Sequence, residues 1–113
     1  MLKSSLLDIL RKFSAKELKE FGEYVRSPFF NKNESTIKLF DYLRKFAPDF
    51  SDKKLEKEYA YRKVFPGTPF NDGFMRTIMF NLATLCENYL AYNHFVRSNY
   101  MEKLSLLSDY NER

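Results

Sequence analysis

Apolar positions recur at helical spacing from the first residues of the chain onward. Leu6, Leu10 and Phe13, with Leu7 and Ile9 beside them, put one wide apolar face on a short first helix. Leu18, Phe21 and Val25, with Tyr24 adjoining, predict a second helix. It should stop before Pro28, because the residue ahead of a proline avoids helical angles. "SPFFNKN" then reads as a turn, and Ile37, Leu39, Phe40, Leu43 and Phe46 predict a third helix over about residues 34–47, closed through Pro48. A fourth is expected over about 52–64 and a fifth over about 72–93. In the fifth, Phe74, Met75, Ile78, Met79, Leu82, Leu85, Cys86, Tyr89 and Leu90 cover most of the circumference, the pattern of a central helix packed on several sides. A last set, Tyr100, Met101, Leu104 and Leu107, reads as a sixth helix beginning near Ser98 or Asn99.

Start signals support these elements. Ser14 and Glu17 in "SAKE" form a capping box, and Phe13 with Leu18 a hydrophobic staple around it. "FSDKKL" at 50–55 repeats that layout with Ser51 as cap, and "FNDGFM" at 70–75 repeats it with Asn71 as cap, Asp72 as its alternative, and Met75 as staple partner. The stretch "KVFPGTPFND" turns the chain: Pro66-Gly67 and Thr68-Pro69 end the fourth helix and Phe70-Asn71 launches the fifth. It is a poor phosphate cradle, since its prolines remove amide donors and a glycine run is missing. Residues 13–26 echo residues 50–63, in the spacing range of helical-hairpin repeats but without the signature of a named repeat family; duplication and chance both stay open.

The expected fold is therefore all-α: a single domain over residues 1–113, a compact orthogonal or antiparallel bundle of five or six helices around a long central fifth helix. "SDYNER" carries no helix stop signal, so a longer protein with this domain at its front is expected. The single cysteine, Cys86, excludes an internal disulfide and suits a reducing cytoplasm. No export signal and no apolar run of about 18 residues is legible, so no membrane association is expected.

Two stretches carry family resemblances. "LLDILRKFSAKELKEF", residues 6–21, resembles the opening of pyrin-type death-fold domains over those residues alone. "FSAKELKEFGEYVRSPFFNKNESTIKLFDYLRKFAPDF" with "KVFPGTPFNDGFMRTIMFNLATLCENYLAY" is similar to the N-terminal region of long uncharacterised helical proteins of Bacteroidetes, a domain of unknown function. That second resemblance implies a cytoplasmic, all-helical domain with more helices downstream, and implies no activity, substrate or catalytic residue.

Chemistry narrows the function classes. His94 is the sole histidine and lacks a partner at helical spacing, and Cys86 lies on an apolar helix face where a thiol behaves as a small hydrophobe. Asp8, Glu17, Glu20, Glu23, Asp41 and Glu56 alternate with lysines and arginines, as solvated faces do. No catalytic, cofactor-binding or metal-binding set is expected, and the chain reads as a non-enzyme. Net charge is +4, with the surplus in residues 1–64, where fifteen Lys and Arg stand against ten Asp and Glu. Weak, non-specific nucleic-acid binding through Lys53, Lys54, Arg62 and Lys63, with Tyr59 or Tyr61 stacking on bases, is thus one reading. The favoured reading is a protein-interaction or scaffolding domain. Thr77, Asn81, Thr84 and Asn88 line up on the fifth helix as an uncharged polar stripe, suited to another protein segment or to downstream helices. An ordinary solvent-facing stripe, or one covered by the sixth helix, is the alternative. Phe29 and Phe30 cannot easily both point inward, and an exposed one would anchor a partner.

Overall fold

Each helix begins where a side chain satisfies its first free amides. In the computed structural model, which describes residues 4–111 and the side chains of 4–96, 98 and 99, Ser4 caps α1 (Ser5–Arg11) by accepting from the Leu7 amide at 3.4 Å. The capping box opens α2 (Ala15–Arg26) as expected: Glu17 N donates to Ser14 Oγ at 3.1 Å and Ser14 N to Glu17 Oε1 at 2.9 Å. Asn33 caps α3 (Glu34–Arg44) and Asn71 caps α5 (Asp72–Asn111), with Phe74 N donating to Asn71 Oδ1 at 3.0 Å.

The fold is an all-α bundle of five α-helices among the described residues, and α5 touches each of the other four. The core gathers Leu7 and Leu10 from α1, Phe21 and Val25 from α2, Leu39, Phe40 and Leu43 from α3, and Ile78, Leu82 and Cys86 from α5. Gly22 lets α2 approach α3, since a Cβ there would stand 3.2 Å from the Arg44 guanidinium and 3.5 Å from the Phe40 ring.

Three expectations need correction. The third helix ends at Arg44 rather than near residue 47. The fourth does not start at a Ser51 cap. Phe50 and Leu55 are both fully buried, and bringing both inward bends the chain, with Phe50 at φ +48°. A 3-10 turn, Lys53–Leu55, follows, with the Lys54 amide donating to Asp52 Oδ1 at 2.8 Å. Only then does α4 (Lys57–Val64) begin, capped by Glu56, whose carboxylate accepts from Glu58 N at 3.2 Å and Tyr59 N at 3.0 Å. Those two amide bonds hold the Glu56 carboxyl below its ordinary pKa. The stretches 13–26 and 50–63 accordingly differ in local structure.

No separate sixth helix breaks off. "AYNHFVRSNY" contains neither glycine nor proline, so the backbone ladder continues and α5 runs for 40 residues. At 1.5 Å per residue it is about 60 Å long, and it sets the long axis of a molecule measuring 68 × 28 × 18 Å. The side chains of Tyr100, Met101, Leu104 and Leu107 lie outside the described set.

Candidate functional site

The turn between α2 and α3 is held by its own asparagines. Asn31 Nδ2 donates to the Val25 carbonyl at 2.8 Å and to Thr36 Oγ1 at 2.9 Å, while its Oδ1 accepts from Asn33 N at 3.0 Å. Thr36, buried in α3, donates to the Asn33 carbonyl at 2.6 Å. On this rigid turn Phe29 stands 87% exposed. Phe30 folds back, stacked on Tyr24 at 4.3 Å between ring centroids and 5.6 Å from Tyr92 on α5. Burial and then the neighbouring Tyr92 push the Tyr24 hydroxyl pKa up, so it stays protonated.

The polar stripe of α5 divides. Thr77 and Asn88 are exposed, and Thr77 Oγ1 turns back to donate to the Gly73 carbonyl at 3.0 Å. Asn81 and Thr84 are half-buried and line an open groove of about 260 Å³ with Asn31, Asn33, Phe80 and Leu85. The structure thus brings the middle of the stripe together with the turn that carries Phe29 and Phe30. Among the described residues four aromatics stand exposed on α5: Phe80, Tyr92 and Phe95, which sequence reading did not single out, and Phe74, which it assigned to the packed surface. The apolar signal around α5 was almost continuous, and periodicity alone does not tell which flank another helix covers.

The basic candidates lie between these two segments in sequence, on the 3-10 turn and the last turn of α4. Lys53, Lys54, Arg62 and Lys63 are all exposed. Arg62 is paired with Glu58 at 2.6 Å, and Lys53 stands apart from the pocket that Lys54 and Lys63 border. That pocket, of about 240 Å³, is completed by Lys45, Tyr42, Phe46 and Tyr59. The Lys63 ammonium lies 5.5 Å from the centroid of the Tyr59 ring, within cation–π range, whereas Tyr61 is buried in the core and offers no stacking face.

Most of the carboxylates singled out in the sequence serve structure. Asp8 pairs with Arg11 at 2.9 Å, Asp41 with Arg26, and Glu20 accepts from the Tyr89 hydroxyl at 2.8 Å, while Glu17 and Glu56 cap helices. Cys86 is fully buried, and its thiol pKa is pushed up to about 12, first by burial and then by Glu87. A thiol so placed is inert at neutral pH. His94 is exposed on α5. Among the described residues no cluster of three or more His, Cys, Asp or Glu is placed to hold a metal ion, and no helix is long and apolar enough to cross a membrane. No family model, curated protein or solved structure matches the chain.

Proposed function

We propose that this chain is a non-enzymatic protein-interaction or scaffolding domain. It works in the cytoplasm and binds another protein, or further helices of a longer form of its own chain, through the face made by the α2–α3 turn and the polar flank of α5. The observation that carries this reading is Phe29, 87% exposed on a turn locked by Asn31 and continued by Phe30 and Tyr92. Leaving a ring of that size in water forgoes roughly 1.5–3 kcal/mol of burial, and pre-positioned aromatic anchors are what interface hot spots are made of. The adjoining groove is lined without a charged side chain, so covering it carries little desolvation cost. The structural employment of the carboxylates supports the non-enzymatic part of the reading.

The test is a photoreactive benzoylphenylalanine at position 29 of the full chain in its own cells. A discrete adduct that disappears when Thr84→Arg is added is the expected result; an adduct pattern indifferent to Thr84→Arg, or none, overturns the reading.

A second reading, weak nucleic-acid binding by the basic first four helices, is favoured by one observation: the convergence of Lys45, Lys54 and Lys63 on one aromatic pocket.

A further inference from the structure

Lys45, Lys54 and Lys63 reach that pocket from three separate elements, the C-cap of α3, the 3-10 turn and the last turn of α4. Among the described residues none of the three is in an ion pair, while neighbouring Lys57 and Arg62 are paired with Asp72 and Glu58. No carboxylate lines the pocket. Glu58 is already held by Arg62, and Asp52, close enough to act on the Tyr42 hydroxyl, also caps the 3-10 turn. Three like charges around one cavity raise its positive potential, and an anion seated among them offsets their repulsion.

The walls are aromatic. Tyr42 and Phe46 lie 5.3 Å apart between centroids, and Tyr42 Oη donates to the Lys54 carbonyl at 2.5 Å, which fixes that wall to the 3-10 turn. Burial, then Tyr59, then Asp52 raise the Tyr42 pKa, so its hydroxyl adds no negative charge. Tyr59 keeps 40% of its surface exposed. An isolated inorganic anion would use the lysines and leave the rings idle; an apolar peptide would use the rings and leave the lysines unanswered.

We propose that this pocket binds a nucleotide unit, its planar base against Tyr59 and its phosphate among Lys45, Lys54 and Lys63, supplied by a free mononucleotide or by a link of single-stranded nucleic acid. The proposal rests on the second reading above and gives it a place and a ligand chemistry. At about 240 Å³ the cavity is smaller than the usual ~300–1,000 Å³ of drug-sized sites. It has room for one base, with the sugar-phosphate left toward solvent and the exposed lysines.

The experiment titrates the full chain with a labelled eight-residue oligouridine by fluorescence anisotropy at about 50 and about 200 mM salt, and with uridine monophosphate by calorimetry. Seating one phosphate of a single strand among the lysines predicts roughly a two- to threefold loss of affinity over that salt range. Tyr59→Ala should weaken binding about fivefold or more. Lys45→Gln with Lys63→Gln should flatten the salt dependence, because two of the three lysines around that phosphate are gone. Lys12→Gln, Lys16→Gln and Lys19→Gln together remove more charge from an exposed surface elsewhere and should leave binding unchanged. Binding of the monophosphate with the same Tyr59 dependence assigns the free nucleotide; binding of the oligomer alone assigns the single strand. Binding that falls equally in the Lys12/Lys16/Lys19 control, or that ignores Tyr59→Ala, overturns the pocket and leaves non-specific binding standing. No binding of either ligand at the lower salt overturns both.

Discussion

The Arg11 guanidinium holds the backbone at Phe50, 39 residues further along the chain: Nη2 donates to the Phe50 carbonyl at 2.8 Å and Nε to the Asp49 carbonyl at 2.9 Å. Phe50 lies at φ +48° with its ring fully buried, a conformation that a bulky residue keeps only when its surroundings enforce it. Arg11→Ala is expected to lower stability by about 1.5–3 kcal/mol, since charged donors to backbone carbonyls are lost together. Arg11→Lys should recover little, because a single ammonium does not reproduce the planar fork that reaches both oxygens. Urea unfolding midpoints of the three proteins check this.

Tyr89 and Glu20 join α5 to α2 across 69 residues of sequence by a 2.8 Å hydrogen bond. Tyr89 is nearly buried and its ring meets Phe21 edge-on at 5.6 Å, so the hydroxyl is fixed where the bond forms. Tyr89→Phe should cost about 1 kcal/mol, and Glu20→Gln, which keeps an acceptor oxygen, should cost less. Thermal unfolding of the two variants decides the order.

Cys86 supplies a pH prediction. Its thiol is held protonated up to about pH 12 in the folded chain, against an ordinary value of 9.0. A group with a raised folded pKa stabilises fully below its unfolded value and loses that contribution as pH rises toward the folded one. Stability should therefore decline between about pH 9 and about pH 12 in the wild type, and the decline should be shallower in Cys86→Ala. At pH 8 an aromatic disulfide reagent should label Cys86 only on the unfolding timescale.

Asp72 behaves in the opposite sense. Lys57 holds its carboxyl below the ordinary value of 3.8, with Arg76 adding to the effect. The pairing is present above that ordinary value and is lost as pH falls through the lower folded pKa. Asp72→Asn should remove part of the acid-side slope in a stability-against-pH curve, leaving the part that Glu56 contributes at the start of α4. An unchanged slope would remove the Lys57–Asp72 link from the account.

The adjacent rings of the α2–α3 turn should separate stability from association. Phe29→Ser removes a side chain that is 87% exposed and should change stability by no more than about 0.5 kcal/mol while abolishing the position-29 partner contact. Phe30→Ala breaks the stack on Tyr24 and should cost about 0.5–1.5 kcal/mol beyond the area it uncovers. Chemical denaturation of both variants measures the difference.

Much of this protein was legible before any coordinates. Apolar spacing located α1, α2, α3 and the first half of α5, and the caps at Ser14 and Asn71 were readable because a cap is a contact between residues two or three apart, which local sequence contains in full. The uncharged stripe on α5 followed from spacing, and the Phe29-Phe30 pair was expected to leave one ring outside, but only the packing of Phe30 on Tyr24 decided that Phe29 is the outer one. Tertiary structure decided the rest. Ser51 resembled Ser14 in its neighbours, yet the helix start moved to Glu56 because Phe50 and Leu55 both had to enter a core built from distant residues. Likewise Lys45, Lys54 and Lys63 became one pocket only when α3, the 3-10 turn and α4 packed together. Local hydrogen bonding is written in short stretches of sequence; which charges and rings become neighbours depends on how helices cross, and that is settled by the burial of side chains far apart in the chain.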